Sequence, residues 1–141
     1  MPRLLLVPLL LTAAGCSALA PYGPIPDVCR DTAALDQGPY GGQNVDVRPA
    51  DPTQEPLFDW RAIDASIDYP VFAWRAGIEG AVDVRMTLLP SGETEDLRAI
   101  RSPNELLSEA AVAGFAEARG AEVDAPTEVV AVVTFDVCPG G

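Results

Sequence analysis

Carboxylates are the only abundant side chains in this sequence that could do acid–base chemistry, because the chain has 21 acidic residues and no histidine. Catalysis near neutral pH usually recruits histidine, or a cysteine or serine with an activating base. Glu93, Glu95 and Asp96 cluster beside a predicted turn, and Asp64 and Asp68 share a face of a predicted helix. Such exposed acidic groups are typical of solvated surface. The sequence therefore predicts no enzyme, no catalytic residue and no cofactor.

Cys16 is the first of three cysteines, and it follows Ala13-Ala14-Gly15 and an apolar run from Leu4 to Ala13. An early positive charge, a short apolar segment and small residues before a break are the parts of a secretory signal. Small residues that lead into Gly-Cys resemble a lipobox, where bacterial lipoproteins are cleaved before the cysteine and lipid is attached to its thiol. By this resemblance Cys16 carries lipid and begins a mature chain of 126 of the 141 residues.

The alternative for the same segment is an uncleaved transmembrane anchor. Such an anchor needs roughly 20 predominantly apolar residues. The run here contains Pro8, becomes alanine-rich and meets Pro21 soon after Cys16. We therefore expect the lipoprotein signal, with residues 1–15 removed and the chain held at the cell envelope, facing the periplasm.

Cys29 and Cys138 form an even pair once Cys16 is assigned to lipidation. Exported compartments permit disulfides, so we predict that these two cysteines bond and tie the start of the mature chain to its end. The alternatives are two free thiols or a metal site. With no histidine and no third thiol, a metal site has no obvious ligand set, and we predict no bound metal.

The charge of the chain restricts its partners. Only 9 basic residues oppose the 21 acidic ones, which gives a formal net charge of −12. A strongly anionic surface repels nucleic-acid phosphates and anionic lipid. The composition therefore excludes nucleic acid as the expected partner and leaves lipid on Cys16 as the means of membrane attachment.

The chain divides by composition at about residue 56. Residues 16–56 are rich in proline, glycine and aspartate, as in Gly38-Pro39-Tyr40-Gly41-Gly42, and turn formers at this density interrupt helix and strand periodicity. We therefore predict a Pro/Gly-rich tether over 16–56 and one folded domain over 57–141, a length suited to a single core.

Residues 57–141 carry alternating helix and strand signals. Asp59 is a predicted helix cap, and a second compact helix opens at Tyr69-Pro70 and stops at Gly77. Strict alternation predicts strands at 81–89 and 128–137, and the turn residues Pro90-Ser91-Gly92 predict a second strand at 94–101 that runs back beside the first as a hairpin. Three-and-four spacing predicts a helix between the last two strands, opened by a capping box at Ser102 and Glu105 and ended by Gly120. The predicted fold class is α+β: helix-strand-strand-helix-strand, with a three-stranded antiparallel sheet packed on helices.

Five short motifs, in order and near a characteristic spacing, resemble the TonB C-terminal domain over about Asp68 to Val137. They are Tyr69-Pro70, Arg75-Ala76-Gly77-Ile78-Glu79-Gly80, Pro90-Ser91-Gly92, Arg101-Ser102-Pro103 and Leu107-Ser108-Glu109-Ala110-Ala111. The resemblance implies a periplasmic domain that contacts the TonB box of an outer-membrane receptor. Main-chain pairing at a sheet edge is the physical route to such binding.

The resemblance also implies where a partner would bind. It makes the last strand the receiving edge, with partner-binding residues Val129, Ala131, Val133 and Phe135. It places Tyr69 and Pro70 close to the partner. The alternative for Tyr69, and for Trp74, is that the side chain closes the core.

Two functions are consistent with these motifs. The first is a TonB-like component of transport across the outer membrane that binds a partner peptide or strand. The second is a lipid-anchored structural or self-associating domain without energy transduction, because lipid on Cys16 would replace the membrane-spanning helix that a transducer needs. An exposed strand edge can also pair with a second copy of the chain, giving a homodimer.

Overall fold

The structure is a computed structural model, and residues 45–137 are the part of the chain that it describes. Its elements are, in chain order, β1 (Val45–Pro49), a 3-10 helix (Pro52–Leu57), α1 (Trp60–Ser66), α2 (Val71–Arg75), β2 (Gly80–Leu88), β3 (Thr94–Arg101), α3 (Glu105–Phe115) and β4 (Thr127–Phe135). All three cysteines lie outside these residues. The lipid on Cys16 and the Cys29–Cys138 bond therefore stay predictions.

The predicted α+β class is confirmed, but the sheet has four strands rather than three. The strand order is β1-β4-β2-β3, and each pairing is antiparallel. The additional strand, β1, lies in the segment predicted as a tether. It escaped prediction because it is only five residues long, ends in proline and follows a glycine-rich stretch. Proline is tolerated there because β1 is an edge strand.

Alternation along the strands builds the core on one face of the sheet. The inward side chains of β2 and β4 are fully or almost fully buried: Val82, Val84, Met86, Leu88, Val129, Ala131, Val133 and Phe135. Helices α1 and α3 cover this face, and Ile63, Leu107, Ala111 and Phe115 complete the core. The opposite face, which we call the open face, carries the alternate positions of the strands, both polar residues such as Asp83 and Arg85 and the half-buried Val130 and Val132.

Capping agrees with the sequence at α1 and differs at α3. The Asp59 side chain accepts a hydrogen bond from the Ala62 backbone N–H at 3.1 Å, as predicted. At α3 the cap is Asn104, which accepts from the Leu106 N–H at 2.8 Å, so the predicted capping box that begins at Ser102 is wrong. Ser102 instead donates to the Asn104 carbonyl oxygen, because it lies two residues too early to reach the helix.

The β2–β3 hairpin turns at Gly92, whose φ of 85° favours glycine. The Gly92 carbonyl accepts a hydrogen bond from the Gly120 N–H at 2.8 Å, and a Cβ on Gly92 would meet the Gly120 oxygen at 2.5 Å. The turn is thus hydrogen-bonded to the loop that follows α3. Helix α3 itself ends at Phe115, before the predicted stop at Gly120.

Candidate partner-binding surface

Strand β4 is the strand that the sequence analysis assigned to the receiving edge, and in the structure it is not an edge. It pairs with β2 over its whole length and with β1 over Ala131–Phe135. The prediction was wrong on this point because it lacked β1, which lies on the outer side of β4. Without β1, the order β4-β2-β3 would leave β4 exposed.

The backbone groups of β4 face two different neighbours in alternation. The Ala50 N–H donates to the Val130 carbonyl at 2.8 Å, and the register then pairs Arg48 with Val132 and Asp46 with Thr134. Since hydrogen-bonded and non-bonded pairs alternate in an antiparallel ladder, the N–H and C=O groups of Val130, Val132 and Thr134 face β1. The intervening residues of β4 direct theirs to β2.

The predicted partner-binding side chains on β4 lie in the core. Val129, Ala131 and Val133 are 0% exposed and Phe135 is 1% exposed. These side chains are not available to a partner in this conformation. A partner strand that pairs with β4 would instead contact the backbone of Val130, Val132 and Thr134. The inward side chains of that partner strand would lie at the margin of this core.

Tyr69 is a core residue, which agrees with the alternative weighed for it. It is 1% exposed, packs edge-on against Phe135 with ring centroids 5.2 Å apart, and donates its hydroxyl to the Ile78 carbonyl at 2.5 Å. Burial raises the pKa of the Tyr69 hydroxyl far above its usual value, and the charges of Glu79 and Asp136 raise it further. Tyr69 therefore stays neutral. Its hydroxyl and its ring join Ile78, just before β2, to Phe135 at the end of β4.

The neighbours of Tyr69 differ in exposure. Pro70 is half-buried and caps α2 at its N-terminus without a side-chain hydrogen bond, and Trp74 is 5% exposed in the core. Phe72 is 77% exposed. It lies two residues before Trp74, about 200° away around the helix. That spacing was the available signal that Phe72 is a surface residue, and it makes Phe72 the most exposed large apolar side chain beside the predicted contact segment.

The outer edge of β3 is poorly suited to strand addition. The register shifts twice along the β2–β3 pairing, and Asp96 has a φ of 53° in the middle of β3. Glu95, Asp96, Arg98 and Arg101 place four charges in its eight residues. Bulges and charges are the usual features that stop an edge from pairing with another chain.

Two ion pairs join neighbouring strands on the open face of the sheet. Arg85 pairs with Glu128, and Arg101 lies 2.8 Å from Asp83. Both arginines are substantially exposed, so each pair contributes little to stability. The open face therefore carries ion pairs beside the half-buried Val130 and Val132, and the covered face supplies most of the stability of the sheet.

The acidic clusters noted in the sequence lie apart from each other. Glu93, Glu95 and Asp96 are exposed around the hairpin, where Arg119 approaches Glu93 to 3.8 Å. Asp64 is half-buried in α1, and its Oδ1 has no hydrogen-bond partner within residues 45–137. Burial raises the pKa of Asp64 above its usual value of 3.8, and the negative charge of Asp46 on β1 raises it further.

The repulsion between Asp46 and Asp64 predicts a pH-dependent gain in stability for Asp46→Asn. A carboxyl whose pKa is raised in the folded state loses stability as the pH rises above its unfolded pKa. Asp46→Asn should therefore raise the free energy of unfolding at pH 7, by about 0.2–1 kcal/mol, and leave it unchanged well below pH 3.8. Urea denaturation at both pH values measures this. An equal change at both would contradict the assignment, and Asp68→Asn serves as the exposed control.

The domain belongs to the class of small α+β domains, with a four-stranded antiparallel sheet and a core covered by helices on one face. Comparison with known proteins identifies the family. The family model of the Gram-negative bacterial TonB protein C-terminal matches residues 65–134, and this segment is a TonB C-terminal domain. No curated protein and no solved structure matches the chain.

The family match indicates the cellular location and the kind of partner that are typical of such domains. TonB C-terminal domains are periplasmic protein-interaction domains that contact the TonB box of outer-membrane receptors, and they are not an enzyme family. Within residues 45–137, no helix is long and apolar enough to cross a membrane. The matched segment begins within α1, so β1 and the 3-10 helix precede it.

Proposed function

We propose that this protein is an envelope lipoprotein whose TonB C-terminal domain binds a partner by accepting an extended strand along β4, in TonB-dependent transport across the outer membrane. One observation carries the proposal: the outer side of β4 already accepts a short antiparallel strand, β1, in continuous register. Main-chain pairing of this kind provides affinity with few sequence demands. The TonB box of an outer-membrane receptor is the proposed partner.

Titration with synthetic TonB-box peptides tests the binding. The readout is the ¹⁵N–¹H NMR spectrum of the mature chain. We expect the largest shifts at the backbone amides of Val130, Val132 and Thr134, since these groups lie on the outer side of β4. The matched control is the same peptide N-methylated at alternate residues, which keeps the side chains and removes the backbone donors. Equal binding of the methylated peptide would contradict strand addition.

Lipid attachment at Cys16 is the second part of the proposal. Replacing Cys16 by serine should move the protein from the membrane fraction to the soluble fraction, because no other attachment is proposed. Intact mass should show a wild-type chain that begins at acylated Cys16. A wild-type chain that keeps residues 1–15 and remains in the inner membrane would contradict lipidation and would favour a spanning anchor.

A structural or self-associating domain is the second candidate function. The observation that favours it is that β1 already occupies the outer side of β4, so a partner finds no vacant edge there. In that case the peptides produce no shifts at β4. Sedimentation analysis of the mature chain then distinguishes a monomer from a homodimer formed through a sheet edge.

A further inference from the structure

Strand β1 lies outside the segment that matches the family model. It precedes the matched residues 65–134, and it covers the outer side of β4, which the matched segment alone would leave free. The remaining edge of that segment is β3, with its bulges and charges. The chain therefore supplies its own strand to the one side of the sheet that is suited to pairing.

Three inward side chains of β1 are buried, namely Val45, Val47 and Pro49. Val45 and Val47 are 6% and 7% exposed, and β1 packs against α1 as well as β4. The alternate residues Asp46 and Arg48 are exposed. The occupant of this side of β4 is therefore recognised by buried side chains at alternate positions, two valines and a proline, together with the backbone groups of Asp46 and Arg48 between them.

The rest of the N-terminal segment is fixed to the domain independently of β1. The Gln54 side chain donates to the Glu128 carbonyl at 2.9 Å, and the Leu57 carbonyl accepts from the Ala121 N–H at 2.7 Å. Trp60 donates its indole N–H to the Glu55 carbonyl at 2.8 Å. Because these contacts follow residue 51, β1 can leave β4 by a change of backbone angles near Ala50 while the 3-10 helix stays in place.

The other side of β1 does not continue the sheet. Pro49 pairs with Ala131 and lacks an N–H, and by the alternation of the ladder its nitrogen lies on the outer side of β1. Only Val45 and Val47 direct N–H groups outward. A partner strand therefore finds a short and incomplete template on β1, whereas β4 beneath it offers the full ladder.

From these contacts we infer that β1 is an internal ligand of β4, which a partner strand must displace, and that β1 specifies the partner as an extended segment with apolar residues at alternate positions. This inference rests on the proposed strand addition and describes its regulation. The domain is closed to a partner while β1 is paired and open when β1 is released.

Hydrogen exchange along β4 tests the release of β1 without any partner. The amides of Val132 and Thr134 face β1, and those of Ala131 and Val133 face β2, so one strand reports both sides. If β1 opens on its own, the first pair exchanges faster than the second. Uniform exchange of all four amides would overturn the inference, and would leave the proposed function to be decided by the peptide titration.

A matched pair of valine substitutions separates release of β1 from general loss of stability. Val47→Ala and Val84→Ala each remove the same buried groups, from β1 and from β2. Val47→Ala should accelerate exchange at Val132 and Thr134 by about tenfold relative to Ala131 and Val133. Val84→Ala should leave that ratio unchanged. A ratio that changes equally in the two variants would contradict separate opening.

A peptide of residues 43–51 serves as the probe strand for displacement. Val47→Ala should bind it about tenfold more tightly than wild type, because the internal competitor is weakened, and Val84→Ala should bind it like wild type. Equal affinity for all three proteins would overturn the inference while still supporting strand addition. No binding to any of them would overturn both.

Discussion

Replacing Tyr69 by alanine is expected to lower the free energy of unfolding by about 3–5 kcal/mol, the usual cost of truncating a large buried aromatic side chain. The ring is 1% exposed and packs edge-on against Phe135, so its removal leaves a cavity beside Phe135 in the core. Urea denaturation monitored by circular dichroism measures the change. A loss near zero would contradict a core role and would favour the partner contact that the family resemblance suggested.

Tyr69→Phe separates the hydroxyl group from the ring. The phenylalanine keeps the packing and removes the hydrogen bond to the Ile78 carbonyl. Loss of one such bond, with its buried partner left unsatisfied, costs about 1–2 kcal/mol. The expected order of stability is therefore wild type, Tyr69→Phe and then Tyr69→Ala. If Tyr69→Phe were as unstable as Tyr69→Ala, the ring packing would contribute nothing.

Replacing Phe115 by alanine is the second change with a large expected effect, again about 3–5 kcal/mol. Phe115 ends α3, is 0% exposed and packs edge-on against Trp60 with ring centroids 6.5 Å apart. Trp60 in turn packs against Phe58 at 5.3 Å. This aromatic group joins α1 to α3, so its loss should loosen both helices from the sheet.

Phe72→Ala is the matched control for Phe115→Ala, since it removes the same side chain from an exposed position. With 77% of Phe72 in solvent, the change in stability should be within about 0.5 kcal/mol. The two variants measured side by side by thermal unfolding test the assignment of core and surface. Comparable losses in both would contradict it.

The sequence predicted the positions of helices and strands more reliably than it predicted which strands are adjacent in the sheet. Strand β3 has the bounds predicted for it, Thr94–Arg101, because the turn residues Pro90-Ser91-Gly92 mark where the chain returns beside β2. Alternation identifies the buried face of β4. It carries no information on which strands lie on either side, so β4 was assigned to an edge until β1 was seen beside it.

The candidate site was harder to predict for physical reasons. A tyrosine before a proline can close a core or meet a partner, and only its packing on Phe135 decides between them. The same holds at the start of α3, where Ser102 and Asn104 are both good capping residues and the backbone path selects the second. Such choices depend on tertiary contacts that local patterns do not contain.

Because β1 is paired with β4, a force on the chain immediately before β1 is transmitted to the sheet through β1. Tension that acts directly on Val45 reaches the sheet first at the end of β1 that pairs with Phe135 and Thr134. Load on the upstream segment and occupancy by a partner would thus act on the same backbone groups of β4.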